Sequence, residues 1–253
     1  MDKIYVQLKN GLPINVDIQN AIDGFEYLGY DIIGFTLEDV MCGRMDSRAR
    51  NSPFVGSIDG MSMLFKNIGK YPVPIDFPDS IIRSGLLNRD IVQMRLNDFV
   101  DAFKRTQKPM FVKPVQTKLF DGILISELDH LSYLRLENCD VLVSEPLEIL
   151  SEHRVYVHNR KVVYSCNYSG DFRISPDFGY VDRLVELYKG QPISYTIDVA
   201  ILKDGTMTVI EFNDFWAIGS YGLYCIDYAK MLLDRYCEIV SIDKEFRDIN
   251  LIK

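Results

Sequence analysis

The first part of the chain alternates between strand-like and helix-like hydrophobic patterns. Apolar residues dominate "KIYVQL" (3–8) and "DIIGFT" (31–36), whereas "DIQNAIDGFEYLGY" (17–30) carries apolar residues at helical spacing. This β-α-β order predicts a small sheet of parallel strands covered by helices. Within residues 50–69 we expect a short strand that leads through Gly56 and Ser57 into a helix.

A proline-rich segment follows. "YPVPIDFPDSI" (71–81) holds three prolines, which exclude a regular helix or a central strand. We interpret it as an extended connector. It predicts two domains, over residues 1–75 and 76–253.

Beyond the connector the pattern mixes helices and strands. Three segments have apolar residues at helical spacing: 89–106, 182–189 and 226–240. Strand-like runs occupy 109–115, 122–126, 139–147 and two hairpins, 152–168 and 194–213. The first hairpin is expected to turn at Asn159 and Arg160. This order favours the α+β class, with a mainly antiparallel sheet in the C-terminal half.

Composition narrows the protein class. The 253 residues are 47% hydrophobic and 25% charged, which is ordinary for a soluble globular protein. No apolar run approaches the roughly 18 residues of a membrane span, and "MDKIYVQLKNG" has no signal-peptide core, so we expect a cytoplasmic protein. The net charge of −8 argues against a broad nucleic-acid surface. Scattered cysteines without CxxC spacing indicate reduced thiols, and three dispersed histidines argue against a His-based metal site.

The second hairpin, "TIDVAILKDGTMTVIEFND", carries polar residues where apolar ones would pack better. Alternation along a strand places Glu211 and Asn213 on one face. If Asp204-Gly205 is a two-residue loop, Asp198 lies directly opposite Glu211, whereas a longer loop or a bulge would shift this register. Two opposed carboxylates destabilise a sheet unless a cation lies between them. Two carboxylates and an amide oxygen are ligands that Mg²⁺ prefers, although a strand edge with unrelated polar residues would look similar.

Lysine and arginine side chains that could bind phosphate are also present in the sequence. The sequence has no GxxxxGK[ST] and no GxGxxG motif, so P-loop and Rossmann interpretations have no support. Lys113 lies in the apolar run "MFVKP", and Lys118 follows in "QTKLFDG". A lysine in an apolar strand is costly unless its ammonium meets an anion. The alternatives are a strand-end lysine that reaches solvent and, for Arg154 in "EHRVYV", a surface arginine.

The strand lysine, the following loop, Arg154 and the acidic hairpin occur in an order that resembles the ATP-grasp fold from about Arg83 to Tyr224. "RSGLLNRDI", "FVKPVQTKLFDG", "SEHRVYV" and "EFNDFWAIGSYGLY" are similar to the ATP-grasp clade named for its two arginines and one lysine. The resemblance implies two α+β lobes around an ATP cleft, preceded by a small α/β N-terminal domain. It also implies ATP and Mg²⁺ as cofactors.

The resemblance implies roles for individual residues. Lys113 would contact the α-phosphate and the adenine side of ATP, and Lys118 the phosphates. Arg154 would stabilise the transferred γ-phosphate or the acyl-phosphate. Backbone groups of the hinge "VSEPL" would read adenine, with Glu145 or Glu148 near adenine or ribose. The hinge positions that the resemblance implies are Ser144, Glu145, Leu147 and Glu148. The metal ligands that it implies are Asp198, Glu211 and Asn213.

Some positions stay open. Arg83, Arg89 and Arg95 are all candidates for the first arginine of the clade, with Arg89 taken as the catalytic one. The run "GSYG" (219–222) would line the acceptor site, with Trp216 and Tyr221 either as its walls or as ordinary core residues. Two features depart from the family pattern: a short, glycine-poor loop "VQTKLFDG", and Asp214 in place of a proline after the Glu-x-Asn motif.

The activity implied is that of a ligase. A carboxylate attacks the γ-phosphate of ATP, giving ADP and an acyl-phosphate, and an amine then forms the C–N bond, with a peptide or protein among the substrates expected. This chemistry needs positioning and charge stabilisation rather than a Ser, Cys or His nucleophile. The alternatives are a non-catalytic nucleotide-binding interaction protein and an ATP-dependent kinase on the same scaffold.

Overall fold

The computed structural model describes residues 3–73, 75, 77–115, 119–134 and 138–241. Within these residues, no helix has the length and apolar character that crossing a membrane requires. Lys118, one of the predicted phosphate ligands, lies outside the described residues.

The N-terminal part is a small sheet with helices packed on it. Its strands are β1 (Lys3–Lys9), β2 (Leu12–Pro13), β3 (Asp31–Phe35) and β4 (Phe54–Val55), and its helices are α1 (Val16–Tyr27), α2 (Leu37–Met41), α3 (Asp46–Ala49) and α4 (Ile58–Asn67). β1 pairs in parallel with β3 and β4 and antiparallel with β2. The predicted β-α-β unit, and the strand leading into a helix at Gly56-Ser57, are confirmed.

Side-chain caps fix where these helices begin. The Asn15 side chain accepts a hydrogen bond from the Ile18 N–H at the start of α1, and Ser57 accepts one from Gly60 at the start of α4. Each cap satisfies a backbone donor that has no partner in the first helical turn. The first turn of α1 therefore has a fixed position, and it carries Asp17.

The middle part forms a second, antiparallel sheet of four strands. Its elements are α5 (Asp79–Ile82), β5 (Ile91–Arg95), α6 (Leu96–Thr106), β6 (Met110–Pro114), β7 (Ile123–Ile125), a 3₁₀ helix (Leu128–Tyr133) and β8 (Asp140–Ser144). The strand order is β5-β8-β6-β7. The helix predicted over 89–106 is wrong in its first part, because residues 91–95 pair with β8 as a strand. β-Branched Ile91 and Val92 suit a strand, and the edge of β8 supplies the hydrogen bonds that override the helical spacing.

The C-terminal part is a third sheet, with strand order β10-β9-β11-β12. Its elements are β9 (Ile149–His158), β10 (Lys161–Gly170), α7 (Phe178–Leu187), β11 (Ser194–Leu202), β12 (Met207–Asp214), a 3₁₀ helix (Phe215–Ala217) and α8 (Cys225–Val240). All neighbouring strands are antiparallel, as predicted. Asn159 and Arg160 both have positive φ and form the predicted turn between β9 and β10.

The β11–β12 hairpin has the predicted residue pair but not the predicted loop. Gly205 N–H bonds the Leu202 carbonyl and Leu202 N–H bonds the Thr206 carbonyl, so the loop holds three residues rather than two. The register shifts again between Asp198 and Val199, because Ile210 is an extra residue in β12. The two shifts cancel, and Asp198 pairs with Glu211.

One hydrophobic core joins the first and third sheets. It contains Ile4 of β1, Phe25 of α1, Tyr156 of β9 and Leu232 of α8, all 2% exposed or less. α8 lies between the two sheets and packs along α1. The division into domains 1–75 and 76–253 stays a prediction.

Replacing Gly24 with alanine is expected to destabilise the protein by about 1–3 kcal/mol. A Cβ at this position would overlap the Cys225 carbonyl oxygen, so α1 and α8 would have to separate. Alanine otherwise favours a helix over glycine by about 1 kcal/mol. Urea unfolding monitored by circular dichroism measures the change, with Glu26→Ala on the exposed face of α1 as the control. A Gly24→Ala protein as stable as the wild type would refute this tight α1–α8 contact.

Candidate active site

A row of charged residues crosses the third sheet. Arg154 on β9 pairs with Asp198 on β11, and Asp198 pairs with Glu211 on β12. Cross-strand partners project from the same face, so the three side chains meet there. The longer loop and the bulge at Ile210 offset each other, and the resulting register brings Glu211 beside Asp198.

Arg154 and Asp198 form a buried, bidentate ion pair. Arg154 Nε lies 2.8 Å from Asp198 Oδ1, and Nη2 lies 2.6 Å from Oδ2. The side chains are 10% and 1% exposed. Burial raises the pKa of the Asp198 carboxyl to about 6, while the guanidinium of Arg154 works in the opposite direction. The parallel fork–fork geometry fixes both side chains.

Asn213 and Lys113 complete the cluster around Glu211. Asn213 Nδ2 lies 2.9 Å from Glu211 Oε1 and 3.3 Å from Asp198 Oδ2, so the amide links the two carboxylates. Lys113 Nζ on β6 lies 4.0 Å from Glu211 Oε2. Glu211 is about one-third exposed and faces the space between the second and third sheets.

The donor set fits a magnesium ion. Among the described residues, no group of three or more His, Cys, Asp or Glu side chains is arranged around one point, and the set here consists of two carboxylates and one amide. The two carboxylates supply oxygen donors that Mg²⁺ takes, and the Asn213 amide, whose nitrogen faces the carboxylates here, would turn its oxygen to the ion. A carboxylate has about four acceptor positions, so Asp198 keeps capacity for a cation while it accepts two bonds from Arg154.

A cavity of about 350 Å³ lies between the second and third sheets, and Glu211 is among its lining residues. This volume is within the range of small-molecule sites. Its apolar walls come from both sheets, and its charged lining residues are Arg89, Lys113, Glu145, Glu152 and Glu211. A ligand with a flat apolar part and an anionic part would match this lining.

The segment after β8 lies along this cavity. Ser144, Glu145, Pro146 and Leu147 line it, and the exposed Glu145 carboxylate bonds Lys108 Nζ at 2.5 Å. The Lys108 ammonium lowers the pKa of the Glu145 carboxyl. Glu148 is not among the lining residues, and its carboxylate lies 3.6 Å from Lys203 Nζ. Of the two hinge acids considered in the sequence, Glu145 is the one at the cavity.

The three candidate arginines occupy different places. Arg89 lines the cavity, and its Nη2 donates to the Val209 and Ile210 carbonyls at 2.8 and 3.3 Å. Arg83 is exposed beside Asp79, and Arg95 bonds Asp140 and the Asn138 carbonyl at the sheet surface. The fold brings Arg89 to the cavity and keeps the other two away from it.

A family model matches residues 86–231, which is more than half of the chain. It describes the ATP-grasp domain of the clade named for two arginines and one lysine, family 2. The chain belongs to this ATP-grasp family. The resemblance inferred from the sequence motifs is confirmed, and the cavity lies within the ATP-grasp segment except for Phe77. Comparison with curated proteins finds no match.

Solved structures share the fold at low sequence identity. D-Cycloserine synthetase DcsG superposes with a TM-score of 0.62 at 14% identity, over 92% of this chain and 99% of that chain. D-Alanine–D-alanine ligase from Bacillus anthracis gives 0.58 at 13% identity, over 95% and 99%. The ATP-grasp ligase PsnB, solved with a minimal precursor, gives 0.53 at 15% identity, over 92% and 99%. These likenesses confirm the predicted α+β ATP-grasp fold.

Glu152, an acid that lines this cavity, was not predicted from the sequence. Glu152 lines the cavity two residues before Arg154 on β9. Burial raises the pKa of its carboxyl, while hydrogen bonds from Tyr168 and Ser169 work in the opposite direction. The signal was present in "SEHRVYV", because residues two apart on a strand share a face.

The "GSYG" loop is held from two sides. The Ser220 N–H and hydroxyl lie 2.7 and 2.9 Å from Asp17 Oδ1 of α1, and the buried Tyr156 hydroxyl donates to the Gly219 and Ser220 carbonyls at 2.9 Å. Tyr221 has a positive φ of 42°, and its ring lies 5.0 Å from the Arg154 guanidinium carbon. Helix α1 of the N-terminal part thus takes part in placing an aromatic ring over the charged row.

Two nearby residues belong to the packing of the fold. Trp216 contacts Phe65 edge-on at 5.6 Å, so its ring lies with the core of the N-terminal part. The Asp214 carboxylate forms two 2.6 Å bonds with Arg235 of α8. The acid that replaces the usual proline therefore ties the end of β12 to α8.

Proposed function

We propose that the protein is an ATP- and Mg²⁺-dependent ligase that joins a carboxylate to an amine through an acyl-phosphate. The observation that carries the proposal is that Glu211, which is bonded to Asn213, and Lys113 line a largely apolar cavity between the two sheets. A nucleoside triphosphate combines a flat base with an anionic tail, and such a lining suits both parts.

The nucleotide would lie with its base between the two sheets. Backbone groups of Ser144 to Leu147 would bond the edge of adenine, and the Glu152 carboxylate would accept hydrogen bonds from hydroxyl groups of the sugar. Lys113 would then meet the phosphates, with Lys118 reaching them from the following loop. Arg89 adds a second cation to the described wall of the cavity.

Asp198, Glu211 and Asn213 would hold Mg²⁺. The ion would neutralise charge on the transferring phosphoryl group and orient it. Arg154 holds the Asp198 carboxylate in place through two hydrogen bonds, so the charged row has a fixed geometry next to Glu211. Such preorganised charges stabilise a transition state without reorganising during the reaction.

In the first step, a carboxylate oxygen of the substrate attacks the γ-phosphorus and ADP leaves. In the second, an amine nitrogen attacks the acyl carbon, phosphate leaves, and the amine loses a proton to solvent. Lys113, Lys118 and Arg89 offset the negative charge of the polyphosphate during the first step. The loop 219–222, which covers Arg154, would border the acceptor. We propose a peptide or protein as one substrate, consistent with the peptide-precursor complex of PsnB.

Nucleotide binding should raise the melting temperature only when ATP and Mg²⁺ are both present. A ligand at 100 times its Kd stabilises the folded state by about 2.7 kcal/mol, which a thermal scan resolves easily. ATP alone and Mg²⁺ alone are the controls. A protein that shows no shift with the combination would refute the proposed ATP site.

Product analysis separates the three activities. A panel of carboxylates and amines, including peptides, is incubated with ATP, and the products are identified by mass spectrometry. An amide together with ADP supports the ligase, and a stable phosphoester together with ADP supports the kinase. ATP binding without ADP formation on any pair supports a non-catalytic nucleotide-binding protein.

A further inference from the structure

Phe77 brings the proline-rich connector into the nucleotide cavity. Its ring lines the cavity, with Lys113 Nζ 4.7 Å and the Arg89 guanidinium carbon 5.7 Å from the ring centroid. Both distances are within the range of cation–π interactions. Phe77 precedes residue 86, so it lies outside the segment that the family model matches.

One aromatic ring therefore lies within cation–π range of two cations that are held by different sheets. Lys113 is attached to β6 of the second sheet, whereas Arg89 is anchored on carbonyls of β12 in the third sheet. The electron-rich face of a phenyl ring attracts a cation, and the attraction grows when water is excluded. The Lys113 side chain is only 16% exposed, so water screens the contact between its ammonium and the ring little.

Ile75 and Phe77 of the connector both pack against the core of the third sheet, and Pro78 starts α5 directly afterwards. These contacts hold the Phe77 ring in place beside the two cations. An aliphatic residue at this position could still pack against the core, but it would give the cations no π-face.

We propose that Phe77 is a positioning residue of the nucleotide site, which holds the Lys113 ammonium and the Arg89 guanidinium towards the polyphosphate. The inference rests on the proposed ATP site and adds a wall contributed by the connector. Through this residue, the segment that leads out of the N-terminal sheet bears directly on phosphate binding.

Phe77→Leu is expected to weaken ATP binding about tenfold, or about 1.4 kcal/mol, because the Lys113 ammonium and the Arg89 guanidinium both lose the π-face that positions them. Phe77→Tyr keeps the π-face and should stay within about twofold of the wild type. The Kd for ATP is measured by calorimetry at saturating Mg²⁺ on both variants. Phe178→Leu, a half-exposed phenylalanine of α7, is the matched control.

The Kd and the melting temperature together distinguish a positioning role of Phe77 from a packing role. A packing role would lower the melting temperature of the nucleotide-free protein and leave the Kd of the folded protein unchanged. An unchanged Kd in Phe77→Leu, or an equal loss in the leucine and tyrosine variants, would overturn the proposal. Failure of the wild type itself to bind ATP would overturn the proposed function, and the role of Phe77 with it.

Discussion

Replacing Glu211 with glutamine should lower nucleotide turnover by ~10²-fold or more, the loss typical of a removed electrostatic stabiliser. The variant keeps the shape of the side chain and removes the charge that would hold the cation. Glu211 is partly exposed and faces the cavity, so the substitution should leave the fold intact. Steady-state ADP release by wild type and variant under identical conditions measures the effect.

Glu148→Gln is the matched control. Glu148 is an exposed acid of the neighbouring segment that pairs with Lys203 and does not line the cavity, so its variant should turn over at the wild-type rate. The melting temperature without nucleotide should be the same in all three proteins. Near-normal turnover in Glu211→Gln would remove Glu211 from the proposed metal site.

The pair between Asp198 and Glu211 shows how far the sequence alone can be trusted. Alternation and a short loop predict the pair, and the structure has it. The loop is one residue longer than predicted, and Ile210 adds one residue to the other strand. A bulge depends on packing between strands, which a single sequence does not display, so the correct pair results from two cancelling differences.

The strand Ile91–Arg95 shows the opposite case. Its residues match helical spacing and run directly into the helix that begins at Leu96, and the β-branched Ile91 and Val92 are too weak a local signal to separate the two. The deciding factor is the edge of β8, which lies about 50 residues further along the chain. Tertiary pairing of this kind overrides a short local pattern.

Within the candidate site, residues on one strand were predictable and contacts between distant segments were not. Glu211 and Asn213 share a face because they are two apart. The choice of Arg89 among three arginines depends on how the segment after α5 crosses β12. Phe77 has no signal in sequence, because its contacts come from β6 and from the Arg89 segment.

Breaking the Arg154–Asp198 pair should have the largest effect on stability. Arg154→Met leaves the Asp198 carboxyl buried without its cation, which typically costs about 3–5 kcal/mol. Both partners are nearly inaccessible, so solvent screens the pair little. Urea unfolding of wild type and variant measures the change, with Arg173→Met as the control. Arg173 pairs with Asp171 on the surface, where solvent screens the two charges, so its variant should unfold at nearly the wild-type urea concentration.

A double variant distinguishes the effect of the unpaired Asp198 charge from the effect of the changed side-chain shape. Arg154→Met with Asp198→Asn removes both charges, so it should recover part of the stability that Arg154→Met loses. Recovery would show that the cost of the single variant is an uncompensated carboxylate, and it would explain how the proposed metal ligand Asp198 can be buried, because Arg154 offsets its charge before any cation binds. A loss below about 1 kcal/mol in Arg154→Met would place the pair with surface ion pairs and contradict this role.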